Sequence, residues 1–210
     1  ECIWPTDFNN AHNWGKEDPG AKSNCVSLMN RIDDIITSPD LQCIFSPGIK
    51  SSLFTTVDNF LTNPTNNLLI VSLKYLSFAH NTRELIANAF GRYLLEKAKT
   101  STFSTKPLVL FVDEAHQFLN KSLGDENNKY PLDQFELIAK EGRKYSLNIC
   151  ISTQRPRDIP EGILSQMGTL IVHRLINDKD REVVERAAGE IDKAAASFLP
   201  NLIPGQAIII

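Results

Sequence analysis

The chain is poor in cysteine, and its four, Cys2, Cys25, Cys43 and Cys150, show neither C-x-x-C spacing nor a set of nearby histidines. That excludes a zinc site of the usual spacing and a disulfide framework, and it suits a reducing cytoplasm. No apolar run approaches the roughly 20 residues that a membrane span requires, and the first residues lack a basic-then-apolar leader pattern. The chain therefore reads as cytoplasmic, with no membrane partner. A surplus of positive charge is missing too: 22 Lys and Arg against 25 Asp and Glu leave a formal charge of -3. This excludes a surface that coats itself generally with nucleic acid, so any grip on phosphates has to be local. What is present is ordinary for one globular unit with a sizeable core: 210 residues, 42% hydrophobic and 22% charged.

Residues 1–24 are polar, carry Trp4, Trp14, Pro5 and Pro19, and show neither helical nor strand period, so they read as a connector ahead of a single unit over 25–210. Val26, Met29, Ile32 and Ile36 recur at helical spacing and predict a helix that stops before Pro39. A short strand over 43–45 and a short helix over 55–61 follow. From there strand and helix alternate, and such alternation predicts an α/β fold, a mostly parallel sheet flanked by helices. The expected strands are 68–73, 108–112, 148–152, 170–173 and 207–210. The all-apolar Leu108-Val109-Leu110-Phe111-Val112 carries the mark of burial on both faces. The expected helices are 81–97, with Asn81 and Glu84 as a capping box, then 132–145, 163–167 and 178–188. In the first of these, Leu85, Ala89, Phe90, Tyr93 and Leu94 are expected to face the sheet.

The strongest local signal is the strand over 108–112 followed by Asp113-Glu114. A buried parallel strand delivers its last residues to the carboxyl edge of the sheet, where open α/β folds bind ligands. Two carboxylates arrive there. In a phosphoryl-transfer site the first holds Mg²⁺ through its water shell and the second orients the attacking water. The plainer alternative is that acids simply favour a first helical turn. The strand over 148–152 ends in Thr153-Gln154, and the span between the two strands has room for one helical crossover, which puts Gln154 beside Glu114. A neutral amide there can donate to a terminal phosphate or to the attacking water without titrating. Arg143-Lys144, ending the helix between the strands, either complements the helix dipole or offers a guanidinium fork to a phosphate across a subunit boundary. Arg174 is a further candidate for a phosphate neighbourhood.

The run Glu141-Gly142-Arg143-Lys144-Tyr145, then Ile151-Ser152-Thr153-Gln154-Arg155-Pro156, Ile163-Leu164-Ser165-Gln166, Ile171-Val172-His173-Arg174-Leu175 and Leu202-Ile203-Pro204-Gly205-Gln206-Ala207 resembles the second half of the ATPase domain of HerA/FtsK-type motors, in order and spacing. The resemblance implies a RecA-like P-loop NTPase core that binds ATP and Mg²⁺ between the subunits of a homo-hexameric ring and moves double-stranded DNA. Its partner would be a nuclease in DNA repair or an effector in antiviral defence. On that pattern Asp113 (the metal residue) and Glu114 form the Walker B pair, Gln154 is the sensor, and Arg143 is the finger offered to a neighbour. One part of the pattern is missing, because no G-x-x-x-x-G-K-[S/T] phosphate-binding loop occurs. Gly15-Lys16 is followed by Glu17, and Gly48 has no partner glycine five residues before it. The expectation is that this chain alone turns over no ATP, either as a piece of a longer motor or as one that has lost half its site. Two other readings stand beside it. Asp113-Glu114-Ala115-His116 also spells the signature of DEAH-box RNA helicases; His116 itself reads as a helix-start residue packing near the sheet edge rather than a catalytic base. A non-enzymatic assembly module would instead use the acidic helix over 178–188 and the polar loop over 120–130, with Lys121 and Lys129.

Overall fold

The apolar run over 108–112 forms a strand, and where apolar residues recur every three or four the chain forms helices. A computed structural model describes residues 3–5, 14–17, 19–41, 52–76, 81–119, 122–123, 130–189 and 197–210. Strands β1 (Ile3–Pro5) and β2 (Trp14–Glu17) pair antiparallel and precede helix α1 (Pro19–Thr37). The stretch read as a connector, without strand period, thus contains two paired strands, and the helix starts earlier than its apolar spacing implied. Pro19 supplies the start, since its missing N–H costs nothing in a first helical turn. Helix α2 (Leu53–Thr62) is capped by Ser52, whose hydroxyl accepts the Thr55 N–H at 3.1 Å. The strand expected over 43–45 and the lysines Lys121 and Lys129 lie outside the described residues.

Helix α3 (Thr82–Lys99) leads to β3 (Leu108–Val112), the pair β4 (Ser122–Leu123) and β5 (Tyr130–Pro131), helix α4 (Gln134–Glu141), and β6 (Leu147–Ile151). Then come α5 (Glu161–Leu164), β7 (Ile171–Val172), α6 (Asp178–Ala187) and β8 (Ile208–Ile209). β3 and β6 are parallel, with Leu108 opposite Leu147 and Val112 opposite Ile151. β7 and β8 are antiparallel, as are β4 and β5. Among the described residues the strands therefore form separate two-stranded sheets, one of them parallel, where a mostly parallel continuous sheet was expected.

Residues 68–73 join no sheet among the described residues, although an apolar strand was expected there. They alternate like one, with Leu68 and Ile70 at 78% and 79% exposure while Leu69 packs on the core. Without a ladder partner, period-two patterning alone does not make a strand. Asn81 takes a left-handed conformation (φ 53°, ψ 34°) and makes no side-chain cap, so the expected capping box is absent. The buried face of α3 is Ala87, Gly91, Leu94, Leu95 and Ala98, whereas Leu85, expected inward, is 48% exposed. Of the other residues expected inward, Leu94 is buried and Phe90 and Tyr93 pack on the core while Ala89 is exposed, so the buried stripe overlaps the expected one but is shifted. The reason is that α4 lies against α3, with the Gln134 N–H donating to Asn88 Oδ1 at 3.2 Å.

The core gathers on one side of the β3–β6 pair. Val57, Leu94, Leu95, Ala98, Phe103, Ile138 and Leu147 form one cluster, and Ala87, Ala115, Leu119, Phe135, Ile159, Ile163 and Leu164 a second. Burying side chains of the size of Leu94 and Ile138 stabilises by about 1.5–3 kcal/mol each. The other side of the pair is open: Val109 and Phe111 are each 61% exposed, and Cys150 is exposed beside them. Burial on both faces was expected and does not hold, because among the described residues no helix covers that face. Away from the strands, the Tyr93 hydroxyl donates to Asp58 Oδ1 at 2.5 Å and Lys97 Nζ lies 2.9 Å from the same oxygen, which ties α2 to α3.

Candidate active site

β3 and β6 run the same way and end together, so both deliver their next residues to one edge. Their pairing continues past the strands: the Ser152 N–H donates to the Val112 carbonyl at 2.9 Å, and the Ala115 N–H to the Ser152 carbonyl at 2.9 Å. Backbone bonding therefore sets Asp113-Glu114 beside Thr153-Gln154. Glu114 is left-handed (φ 48°, ψ 45°), a conformation that costs a residue with a Cβ about 1–2 kcal/mol. It turns the chain sharply into the 3₁₀ turn Ala115–Gln117, whose Ala115 is fully buried. Asp113 Oδ1 accepts the Glu114 N–H at 3.0 Å and supports that turn.

One oxygen of the Glu114 carboxylate is hydrogen-bonded and the other has an imidazole beside it. Gln154 Nε2 donates to Oε1 at 2.7 Å. His116 Nδ1 lies 3.3 Å from Oε2 and 3.2 Å from Thr153 Oγ1, and that hydroxyl oxygen accepts the Arg155 N–H at 3.0 Å. The Glu114 side chain is 34% exposed and that of His116 15%, whereas Asp113 and Gln154 are exposed. One half-shielded carboxylate thus stands beside an exposed one able to meet a cation, with an exposed amide donating to the first.

Not all the residues singled out from sequence join this group. Arg143 is exposed on the 3₁₀ turn Gly142–Tyr145 that enters β6, at the opposite end of that strand from Gln154. Five strand residues at about 3.3 Å each separate the two ends by roughly 16 Å. Arg174 follows β7, exposed, its Nε donating to the Pro200 carbonyl at 3.1 Å. Both arginines line the groove of ≈ 1340 Å³ between β6 and β7 whose rim includes Asp113, Glu114 and Gln154. His116 and Thr153 are the two residues whose part the sequence did not disclose. Their adjacency to Glu114 and Gln154 was the one signal available. The left-handed turn that folds the imidazole back onto the carboxylate two residues before it is a feature that composition and periodicity do not encode.

A parallel strand pair backed by helices on one face, with two acids and an amide at its carboxyl edge, defines an α/β protein with a cluster of polar side chains at its strand ends. The family model described as "Helicase HerA-like C-terminal" matches residues 95–205. The chain belongs to that family. It is 26% identical over 193 residues to the DNA double-strand break repair helicase HerA of Pyrococcus furiosus, covering 87% of this chain and 34% of that protein. Over 148 residues it is 31% identical to the HerA helicase of Saccharolobus solfataricus, covering 67% of this chain and 28% of the relative. The Sulfurisphaera tokodaii HerA helicase is 25% identical over 194 residues, 90% of this chain and 36% of the relative. The chain thus spans about a third of the length of these relatives.

Proposed function

We propose that this chain is part of the RecA-like ATPase core of a HerA-type motor that moves double-stranded DNA through a hexameric ring, hydrolysing ATP between subunits. The observation that carries the reading is the 2.7 Å contact of Gln154 with Glu114, made by the tails of two adjacent parallel strands. In this reading Glu114 accepts the proton of the attacking water, and Gln154 exchanges its carboxylate partner for the terminal phosphate when nucleotide arrives. The donor set suits a magnesium-bound triphosphate: Asp113 offers an exposed carboxylate oxygen to the ion's water shell, and Gln154 and Arg174 offer N–H groups to phosphate oxygens. Magnesium, when bound, neutralises charge on the phosphates. Arg143, at the far end of β6, is out of reach of Glu114 in its own chain, which favours a role at the site of a neighbouring subunit.

The phosphate-cradling loop is not in this chain, so its ATPase function belongs to an intact protein that includes one. A partner nuclease in repair, or an effector in antiviral defence, completes the proposed assembly. The deciding experiment measures ATP hydrolysis by the intact protein with duplex DNA, with RNA and without nucleic acid. Stimulation by duplex DNA is expected, together with loss of turnover and retained ATP binding in Glu114→Gln. Normal turnover in that variant, or stimulation by RNA alone, overturns the reading.

A further inference from the structure

We infer that His116 is a positioning residue for Glu114: its imidazole pins the carboxylate oxygen that Gln154 does not hold, and keeps the group aimed when Gln154 turns away. The inference rests on the ATPase reading above. The terminal torsion of a glutamate is broad and roughly two-fold, so a carboxylate held at one oxygen only is free to swing. Here Oε1 is taken by Gln154 at 2.7 Å and Oε2 faces His116 Nδ1 at 3.3 Å. A Gln154 that moves to a phosphate leaves Oε1 open for water, and His116 is then the side chain still in contact with the carboxylate.

The imidazole is itself braced. Ala115, directly before it, is fully buried and bonded to the Ser152 carbonyl at 2.9 Å. Phe118, two residues on, donates its N–H to the Ala115 carbonyl at 3.0 Å, and Gln117 donates to the Glu114 carbonyl at 2.9 Å. On its other side Nδ1 is 3.2 Å from Thr153 Oγ1, and the Arg155 N–H donates to that oxygen at 3.0 Å. Nδ1 thus sits between the Thr153 hydroxyl and the second Glu114 oxygen, within reach of either. The tail of β6 therefore grips Glu114 twice, directly through Gln154 and indirectly through Thr153 and His116.

The test is steady-state ATP hydrolysis and fluorescent ATP-analogue binding by the full-length protein with duplex DNA, comparing wild type with His116→Ala, His116→Asn and Glu114→Gln. Losing the brace lets the carboxylate wander, so His116→Ala is expected to lower kcat about tenfold or more while KM and the analogue's Kd stay within about twofold. Asn carries an amide nitrogen at the position of Nδ1, and His116→Asn is expected to recover most of the loss. The role of His116 is overturned if His116→Ala keeps wild-type kcat, if the Asn variant is no better than Ala, or if both variants lose nucleotide binding and so report damage to the fold. Glu114→Gln separates the two levels: an inactive Glu114→Gln beside a wild-type His116→Ala sinks only the positioning role, whereas an active Glu114→Gln removes the ATPase reading and this inference with it.

Discussion

The backbone N–H of Ala115 donates to the carbonyl of Ser152 at 2.9 Å, beyond the last paired residues of β3 and β6. The approach of Gln154 to Glu114 is thus built on main-chain register, which side-chain substitutions leave intact. Variants at this edge test chemistry with little risk to the fold.

For that reason Gln154→Ala is expected to lower ATP turnover of the intact protein by about 10²-fold, the usual cost of losing one preorganised donor at a reacting centre. Stopped-flow binding of an ATP analogue checks that affinity changes much less. Equal losses in binding and turnover would assign Gln154 to substrate capture.

Arg143 makes a prediction about subunits. An Arg143→Ala protein supplies an intact Glu114 and a Glu114→Gln protein an intact Arg143, so mixed rings contain some complete sites. Each variant alone is expected to be inactive, and equimolar mixtures are expected to regain measurable turnover. No recovery at any mixing ratio counts against the finger.

Gly142 tests how α4 turns into β6. A Cβ built there lies 2.4 Å from the Leu147 carbonyl oxygen, a backbone atom that cannot swing aside, whereas one built at Gly168 meets nothing within 4 Å. Gly142→Ala is expected to destabilise by more than about 2 kcal/mol and Gly168→Ala to stay within about 0.5 kcal/mol. Amide hydrogen exchange across β6 in the intact protein reads both.

The tie between α2 and α3 has a pH window. The Tyr93 hydroxyl, and then Lys97, hold the Asp58 carboxyl below its ordinary value. Its contribution is present above that ordinary value, about 3.9, and fades as pH falls through the lower folded one. Burial, then the bond to Asp58, raises Tyr93, and the bond to Asp58 raises Lys97. Their contributions are complete below their ordinary values of about 10 and 10.4 and are lost as pH rises through the higher folded ones. The difference in protection of α3 between wild type and Tyr93→Phe is therefore expected to be flat from about pH 5 to 9 and to shrink on both sides. A difference that grows in acid would refute the assignment.

Much of the fold was legible, for reasons that particular elements show. The run over 108–112 and the tail Thr153-Gln154 announced two strands with polar ends, and their parallel register follows from a helix, α4, lying between them in sequence. Helix α6 was readable from its charged amphipathic pattern over 178–188 and from Gly189, which follows it at φ +71°, whereas its cap, Asn177 accepting the Lys179 N–H at 2.9 Å, is supplied by the structure. What was not legible depends on partners distant in sequence. Leu85 and Ala87 have equal claims to the inner face of α3 until α4 settles the matter. Residues 68–73 carry the pattern of a strand without its ladder. At the site, the Glu114 and Gln154 pairing came from topology, whereas His116 needed the left-handed φ of Glu114.

The bare side of the β3–β6 pair sets how the isolated polypeptide behaves in a tube. Val109 and Phe111 present an oily, flat surface beside an edge of β6 that no strand occupies among the described residues. Surfaces of this kind seed sticky clusters through edge-to-edge pairing. Expressed by itself, the segment is expected to scatter light increasingly with concentration, and Phe111→Lys to reduce that scattering.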